Sequence, residues 1–270
     1  MIYDRLSVDL LGLLATEGAN ATNAHIARHV LSHAHELGDL SVKELAAACH
    51  VGTGSVSRFA RDAGFESFAE LRATFAEASQ EFELLQEEPA GRANALATRI
   101  AASVERAAAS VDQTALSRLI DDLTHYDKIH AFGLLKAQAA ALDLQVNLLM
   151  QGKFVSTCTS PTEQLERISR ARADELVVVF SYTGSFFEAR DLRQPLARVD
   201  RPKIWVVCGS DRAMPSYVAD RLLFSSDQSR FGHPYQLEYI ADLIAQEYAA
   251  RGVQDKLPGS RINNQPGSLS

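Results

Sequence analysis

Apolar residues in the first third of the chain recur every three or four positions, whereas further on they gather into short unbroken runs separated by helix-length segments. The first pattern belongs to amphipathic helices and the second to strands buried on both faces. Residues 4–16 and 22–37 carry helical spacing, the second opening at Thr22 or Asn23 and closing near Gly38. Ser41 opens another helix, because S-V-K-E places Glu44 where its carboxylate reaches back to the Ser41 amide. The stretch from Leu45 to Phe59, L-A-A-A-C-H-V-G-T-G-S-V-S-R-F, then reads as helix, tight turn and second helix. Two short helices cross closely only where the residue between their backbones is small, which Ala46 and Ala47 supply, and Val51, Val56 and Phe59 point inward. Gly64 ends the second helix, and Ser67 begins one whose Phe68, Leu71 and Phe75 pack against the rest. Five helices with short links predict an all-α head over residues 1–83.

The segment L-L-Q-E-E-P-A-G-R-A, residues 84–93, mixes acids with Pro89 and Gly91 and is expected to be a linker. Helical spacing returns at 94–110 and 114–124. Strand-like runs follow at 128–133, 153–158, 175–181, 203–208 and 221–225. Strands of this composition alternating with helices predict an α/β domain over 94–254, a five-stranded parallel sheet flanked by helices. Pro234 suits the first turn of a last helix, 234–251, and the tail 255–270 is expected to be disordered.

A length of 270 residues suits two domains, and the net charge of −7 argues against indiscriminate nucleic-acid binding. The head carries six basic and ten acidic residues over positions 1–80, so any DNA contact must be local. Burying Val51, Val56 and Phe59 leaves Thr53, Gly54, Ser55, Ser57, Arg58 and Arg61 on or near the opposite face, where a recognition helix meets a DNA groove. Arg58 and Arg61, three apart, form a small basic patch. Thr53, Ser57 and Arg58 are expected near base edges, and Arg61 and Lys43 near phosphates. No run approaches the length of a membrane span, and the N-terminal MIYDRLSVDLLG carries acids where a secretory signal carries basic residues, so a cytoplasmic protein is expected. Cys49, Cys158 and Cys208 stand singly and read as buried thiols.

Ligands of open α/β sheets bind beyond the carboxyl ends of the strands. Two segments stand there. Ser181, Thr183, Gly184 and Ser185 offer hydroxyls and amides to an anion, with Glu188 one turn into the expected helix; without a ligand the same residues make a hydroxyl-rich cap. Gly133 ends the first strand and lets the chain turn. His25, His29 and His33 recur every four residues, spaced for metal but lacking an acidic or cysteine partner, so a polar or intersubunit face is preferred. Trp205 reads as core, and Phe186 and Phe187 read equally as core or pocket wall.

The segment LSVKELAAACHVGTGSVSRFARDAGFESFAELR resembles the helix-turn-helix of the RpiR family of bacterial transcription regulators, and the sheet with S-Y-T-G-S resembles their sugar-isomerase (SIS) effector domain. The looser helix-turn-helix pattern is shared with regulators of the lactose-repressor type. The resemblance runs from about residue 5 to 250 and implies a regulator of a metabolic, carbohydrate-related operon. Its implied partners are a double-stranded DNA operator, a sugar phosphate or related metabolite, and further copies in a homodimer or homotetramer. It implies no catalytic residue, no metal and no cofactor.

Several positions depart from the family pattern. His50 stands where many regulators have a left-handed glycine, and Gly52 replaces a capping serine, leaving Thr53 as the expected stand-in. The family's first ligand loop resembles G-x-G-x-S, but here it runs Gly133-Leu134-Leu135-Lys136-Ala137, and Phe186 replaces a hydroxyl in the second. Lys136 reads as a substitute point charge or as a solvent-facing side chain. Fewer phosphate donors imply a weaker, different or unphosphorylated ligand. Two other classes are weighed: a sugar-phosphate isomerase with a helical appendage, in which His233 would act, and an oligomerisation module with a degenerate head. The absence of a base paired with His233 and the eroded loop count against the first.

Overall fold

The computed structural model describes residues 10, 22–33, 36–63, 65–80, 89–187, 195–226 and 234–254. The helix expected over 4–16 (Leu10 apart), Gly64, Glu188, His233 and the tail 255–270 lie outside them.

The head comprises α1 (Thr22–Ser32), α2 (Val42–Ala48), α3 (Thr53–Asp62) and α4 (Phe68–Gln80). α1 stops at Ser32, short of the expected end near Gly38, and Glu36 to Asp39 form turns. α2 starts as its capping box dictates: the Ser41 hydroxyl accepts from the Glu44 amide at 3.3 Å, and the Glu44 carboxylate accepts from the Ser41 amide at 2.7 Å. The Ser41 hydroxyl beside the Glu44 carboxyl, and after it the Ser41 amide, hold that carboxyl below its ordinary range. α2 ends in a Schellman turn, with Val51 N–H donating to Ala46 and His50 N–H to Ala47. His50 carries the left-handed conformation this turn needs, at φ 53°. Leu45, Val56, Phe59, Phe65, Leu71 and Phe75 fill the head core. Ala46 is buried there, whereas Ala47, also expected at the crossing, is exposed, since a single small residue suffices where the backbones meet.

The second unit contains α5 (Pro89–Ser110), α6 (Gln113–His125), β1 (Lys128–Gly133), α7 (Ala137–Leu149), β2 (Val155–Ser156), α8 (Pro161–Arg170), β3 (Glu175–Phe180), β4 (Lys203–Cys208), β5 (Asp220–Leu223) and α9 (Tyr235–Gln254). α5 begins at Pro89, so part of the segment expected as a linker is helical; proline is preorganised for a first turn and lacks only an amide that would have no helical partner. Asp112 caps α6 by accepting from the Thr114 and Ala115 amides, both at 2.9 Å.

All five strands are parallel, in the order β2-β1-β3-β4-β5. Leu176, Val178, Phe180, Trp205 and Val207 point into one core with α6, α7 and α9, while Val177, Val179, Ile204 and Val206 point into another with α8. Burial on both faces is why these strands read as unbroken apolar runs. Trp205 is buried with its Nε1–H donating to Asp122 at 2.7 Å, and Lys203 pairs with the same carboxylate. One difference from the expected pattern stands out: the run at 153–158 contributes only Val155–Ser156 as strand. Between β3 and β4, residues 188–194, on which most of the expected helix falls, lie outside the described residues, and Phe186, Phe187 and Leu196 cover the sheet face.

Candidate functional site

In α3 the inward side chains are Val56, Phe59 and Ala60, each 0% exposed, which fixes the opposite face. Thr53, Gly54, Arg58 and Arg61 on that helix are exposed, and Ser55 and Ser57 are half-buried. Lys43, on α2, is exposed as well. Ser57 spends its hydroxyl on the Thr53 carbonyl at 3.1 Å, and Arg61 Nε donates to the Ser57 carbonyl at 3.2 Å. Arg58 shares the surface with them. The cap expected from Thr53 is not formed: Gly52 is the N-cap, with no side-chain bond, and Thr53 is already helical. The Gly52 carbonyl accepts from the Ser55 and Val56 amides, and nothing lies within 4 Å of where a Cβ would sit on Gly52 or Gly54. The start of α3 is thus an open, narrow edge. Asn23 of α1 donates to Asp62 at 2.8 Å, tying the far end of α3 to α1.

The second candidate site lies where the strand order reverses. β1 is flanked by β2 on one side and β3 on the other, and Gly133 pairs in register with Phe180, so the loops after β1 and β3 emerge side by side. Such a switch point opens a crevice beyond the strand ends. Gly133 is needed for close packing: a Cβ there would lie 2.4 Å from the Ala137 carbonyl oxygen. Leu135 then takes a left-handed φ of 53°, and the Ala137, Gln138 and Ala139 amides donate to the carbonyls of Leu134, Leu135 and Lys136 at 3.0, 3.1 and 3.2 Å. The amides that would meet an anion at this helix start are therefore engaged within the loop. Lys136 is exposed and caps nothing with its side chain.

The β3 loop is also closed on itself. Ser181 is 7% exposed, and its hydroxyl accepts from the Phe186 amide at 3.2 Å, while its carbonyl accepts from Gly184 at 2.9 Å. Gly184 has φ 75°, and a Cβ there would lie 2.9 Å from the Met214 methyl, so Met214 lies against the loop. Thr183 and Ser185, half-buried, bond to each other at 2.6 Å. Phe186 and Phe187 prove to be core, 3% and 7% exposed, with Phe187 edge-on to Tyr217.

A buried amide pair that the sequence reading passes over underlies these loops. Gln164, 0% exposed on α8, has Nε2 at 2.9 Å from the Gly133 carbonyl, 2.8 Å from that of Cys158 and 2.6 Å from Gln138 Oε1. Turning the Gln138 amide over lets it donate to the Gly133 and Cys158 carbonyls instead and accept from Thr157. Either way amides tie the β1 loop to the β2 loop. The sequence signal was there: Gln164 shares the apolar side of α8 with Leu165 and Ile168. Cys158, expected to be buried, is partly exposed in that loop, and burial of the rest of the residue pushes its thiol up. In the head, the His29 and His33 rings stack at 4.3 Å. A separate groove between α6 and α9, lined by Gln113, Leu116, Ser117, Ile120, Glu247 and Arg251, lies away from both candidate sites.

Residues 14–81, which contain α1 to α4, match the family model for the helix-turn-helix domain of the rpiR family. The match covers the helical head and none of the sheet unit. The second unit has the five-stranded parallel sheet with flanking helices expected of an SIS-like fold. The chain is 27% identical over 172 residues to the transcriptional regulator HexR of Pseudomonas aeruginosa, covering 61% of this chain and 60% of HexR. It is 22% identical over 174 residues to an uncharacterized helix-turn-helix regulator of Providencia stuartii, covering 61% of each. The matched stretch thus spans less than two thirds of either relative. In fold it is similar to the Vibrio vulnificus NanR protein solved with ManNAc-6P, with a TM-score of 0.55 and 16% identity over 93% of this chain and 94% of that one. No helix among the described residues is long and apolar enough to cross a membrane.

Proposed function

We propose that this chain is an RpiR-family, cytoplasmic, DNA-binding transcription regulator of a carbohydrate-related operon, whose SIS-like unit binds a small metabolite at the β1/β3 switch point. The observation that carries the reading is α3: its Val56 and Phe59 are buried, and Thr53, Gly54, Arg58 and Arg61 face solvent together. With Gly52 and Gly54 leaving its start unobstructed, the helix end fits closely into a major groove. Thr53, Ser55, Ser57 and Arg58 approach base edges, and Lys43 and Arg61 approach phosphates. Two heads in a homodimer offset the net acidity of each by doubling the local contacts. Genome-wide DNA pull-down identifies the operator. On that fragment Arg58→Ala weakens binding by about 1–3 kcal/mol, roughly 5- to 150-fold in Kd, if the guanidinium is bidentate to guanine. Unchanged affinity in a salt-controlled shift assay removes Arg58 from the interface.

The effector contacts are assigned to Gly133, Lys136, Ser181, Thr183, Gly184, Ser185 and Glu188. The reading that the effector is held by fewer phosphate donors than in the general family pattern is supported by the α7 amides, which are engaged internally. ManNAc-6P, present in the NanR structure, and ordinary hexose 6-phosphates are the compounds to titrate calorimetrically. Binding weaker than micromolar is expected. Micromolar affinity for a hexose phosphate would overturn the assignment. The SIS fold also occurs in isomerases, and the regulator reading further entails no turnover of aldose or ketose phosphates.

A further inference from the structure

α7 is apolar almost all round, which is unusual for a helix on the outside of a sheet. Its sides have different partners. Ala140, Ala141, Leu144 and Leu148 face the sheet core. On the α9 side, Asn147 donates to Asp242 at 2.8 Å, and Gln151 to the Ala245 carbonyl at 3.0 Å. Toward β2, Gln145 donates to the Val155 carbonyl at 2.7 Å. The remaining side carries Leu142, Val146, Leu149 and Met150, which are 40%, 54%, 54% and 82% exposed. Phe154, 64% exposed just before the edge strand β2, extends the same strip.

We propose that this strip is the surface on which a second copy of the chain docks, with the two α7 helices crossing antiparallel about Val146. Three observations select a second copy over another partner. The strip's own side chains carry no charge: Asp143 and Lys153 are the charged residues between 137 and 154, Asp143 faces Asp242 and Glu238 of α9, and Lys153, half-buried, is a single cation at one end. A partner chosen by a pattern of ion pairs therefore has at most one charge to read. The spacing is self-complementary, because Leu142 and Met150 lie four residues either side of Val146, so a two-fold axis there sets Leu142 against Met150 of the partner subunit in both directions. The area also fits. Five side chains at these exposures present on the order of 600 Å², at the top of the range for a monomer's largest apolar patch. Two such strips bury about 1,200 Å², the lower bound for a stable interface.

This assignment deepens the homodimer part of the regulator reading and rests on that part alone. It is tested by sedimentation of the full chain and of Val146→Glu and Met150→Arg variants at micromolar concentration. The native chain is expected to sediment as a dimer or a multiple of one, and each variant to lose subunit association by at least tenfold. The variants should melt no more than a few degrees below the native chain, since both side chains are solvent-facing in the protomer. A further variant, Val146→Cys, is expected to cross-link to itself with a short bis-maleimide, whereas Glu166→Cys, exposed on α8, does not. A dimer that survives both charged substitutions and fails to cross-link at position 146 overturns the surface but leaves DNA binding, measured separately, standing. A monomeric native chain overturns both the surface and the homodimer assignment.

Discussion

Replacing Gly133 with alanine is expected to lower the melting temperature of the sheet unit by roughly 5–12 °C, corresponding to about 2–4 kcal/mol. The reason is steric. The new Cβ falls 2.4 Å from the Ala137 oxygen, 2.6 Å from its carbonyl carbon and 3.0 Å from the Gln138 nitrogen, all backbone atoms at the start of α7. Backbone cannot turn aside as a side chain can, so either α7 shifts along the sheet or β1 loses its last pairing with Phe180. Movement of α7 also strains the amides of Gln138 and Gln164 that join the loops after β1 and β2. Differential scanning calorimetry checks the outcome, and an unchanged transition would show that the β1 loop accommodates a methyl group. The head should be unaffected, so operator binding measured by a shift assay separates this local damage from general misfolding.

Phe59→Ala is the second large effect, and it acts in the head. Phe59 is wholly buried at the centre of the helix-turn-helix core, beside Leu45, Val56 and Leu71. Truncating a buried phenylalanine costs about 3–5 kcal/mol, comparable with the whole stability of a small helical domain. The expected result is loss of operator binding, loss of amide-exchange protection across α2 to α4, and an unchanged transition for the sheet unit. Arg58→Ala next to it is expected to lose affinity with full protection retained. A Phe59→Ala protein that keeps both protection and operator affinity would contradict the packing described for α3.

Much of the head was legible because its signals are local. The Ser41–Glu44 capping box lies within four residues, and the left-handed turn at His50 is set by backbone geometry between two short helices. The apolar strands of the sheet were equally plain, since burial on two faces requires apolar residues at every position. Thr53 misled as a cap because Gly52 reaches the same extended N-cap conformation without a side chain, at φ −78° and ψ 152°. At the crevice, the hydroxyls of Ser181, Thr183 and Ser185 were visible as residue types, but their present partners were not. Ser181 accepts from an amide five residues on, and Thr183 and Ser185 satisfy each other. Gln164 escaped notice because a glutamine on a short amphipathic helix looks like a boundary residue until the carbonyls of Gly133 and Cys158 are brought over it.

Sequence alone determined the helical head, the inward face of α3, the five parallel strands and the position of both candidate loops, because periodicity, caps and apolar runs act over a few residues. Tertiary structure decided the rest. The order β2-β1-β3-β4-β5 sets the loop after β1 beside the loop after β3, and that reversal depends on which strand edges meet rather than on any single run. Packing placed Phe186 in the core, left the strip from Leu142 to Phe154 uncovered, and consumed the donors at the start of α7. Each of these outcomes depends on what a residue's distant neighbours leave exposed or unbonded, which no local pattern encodes.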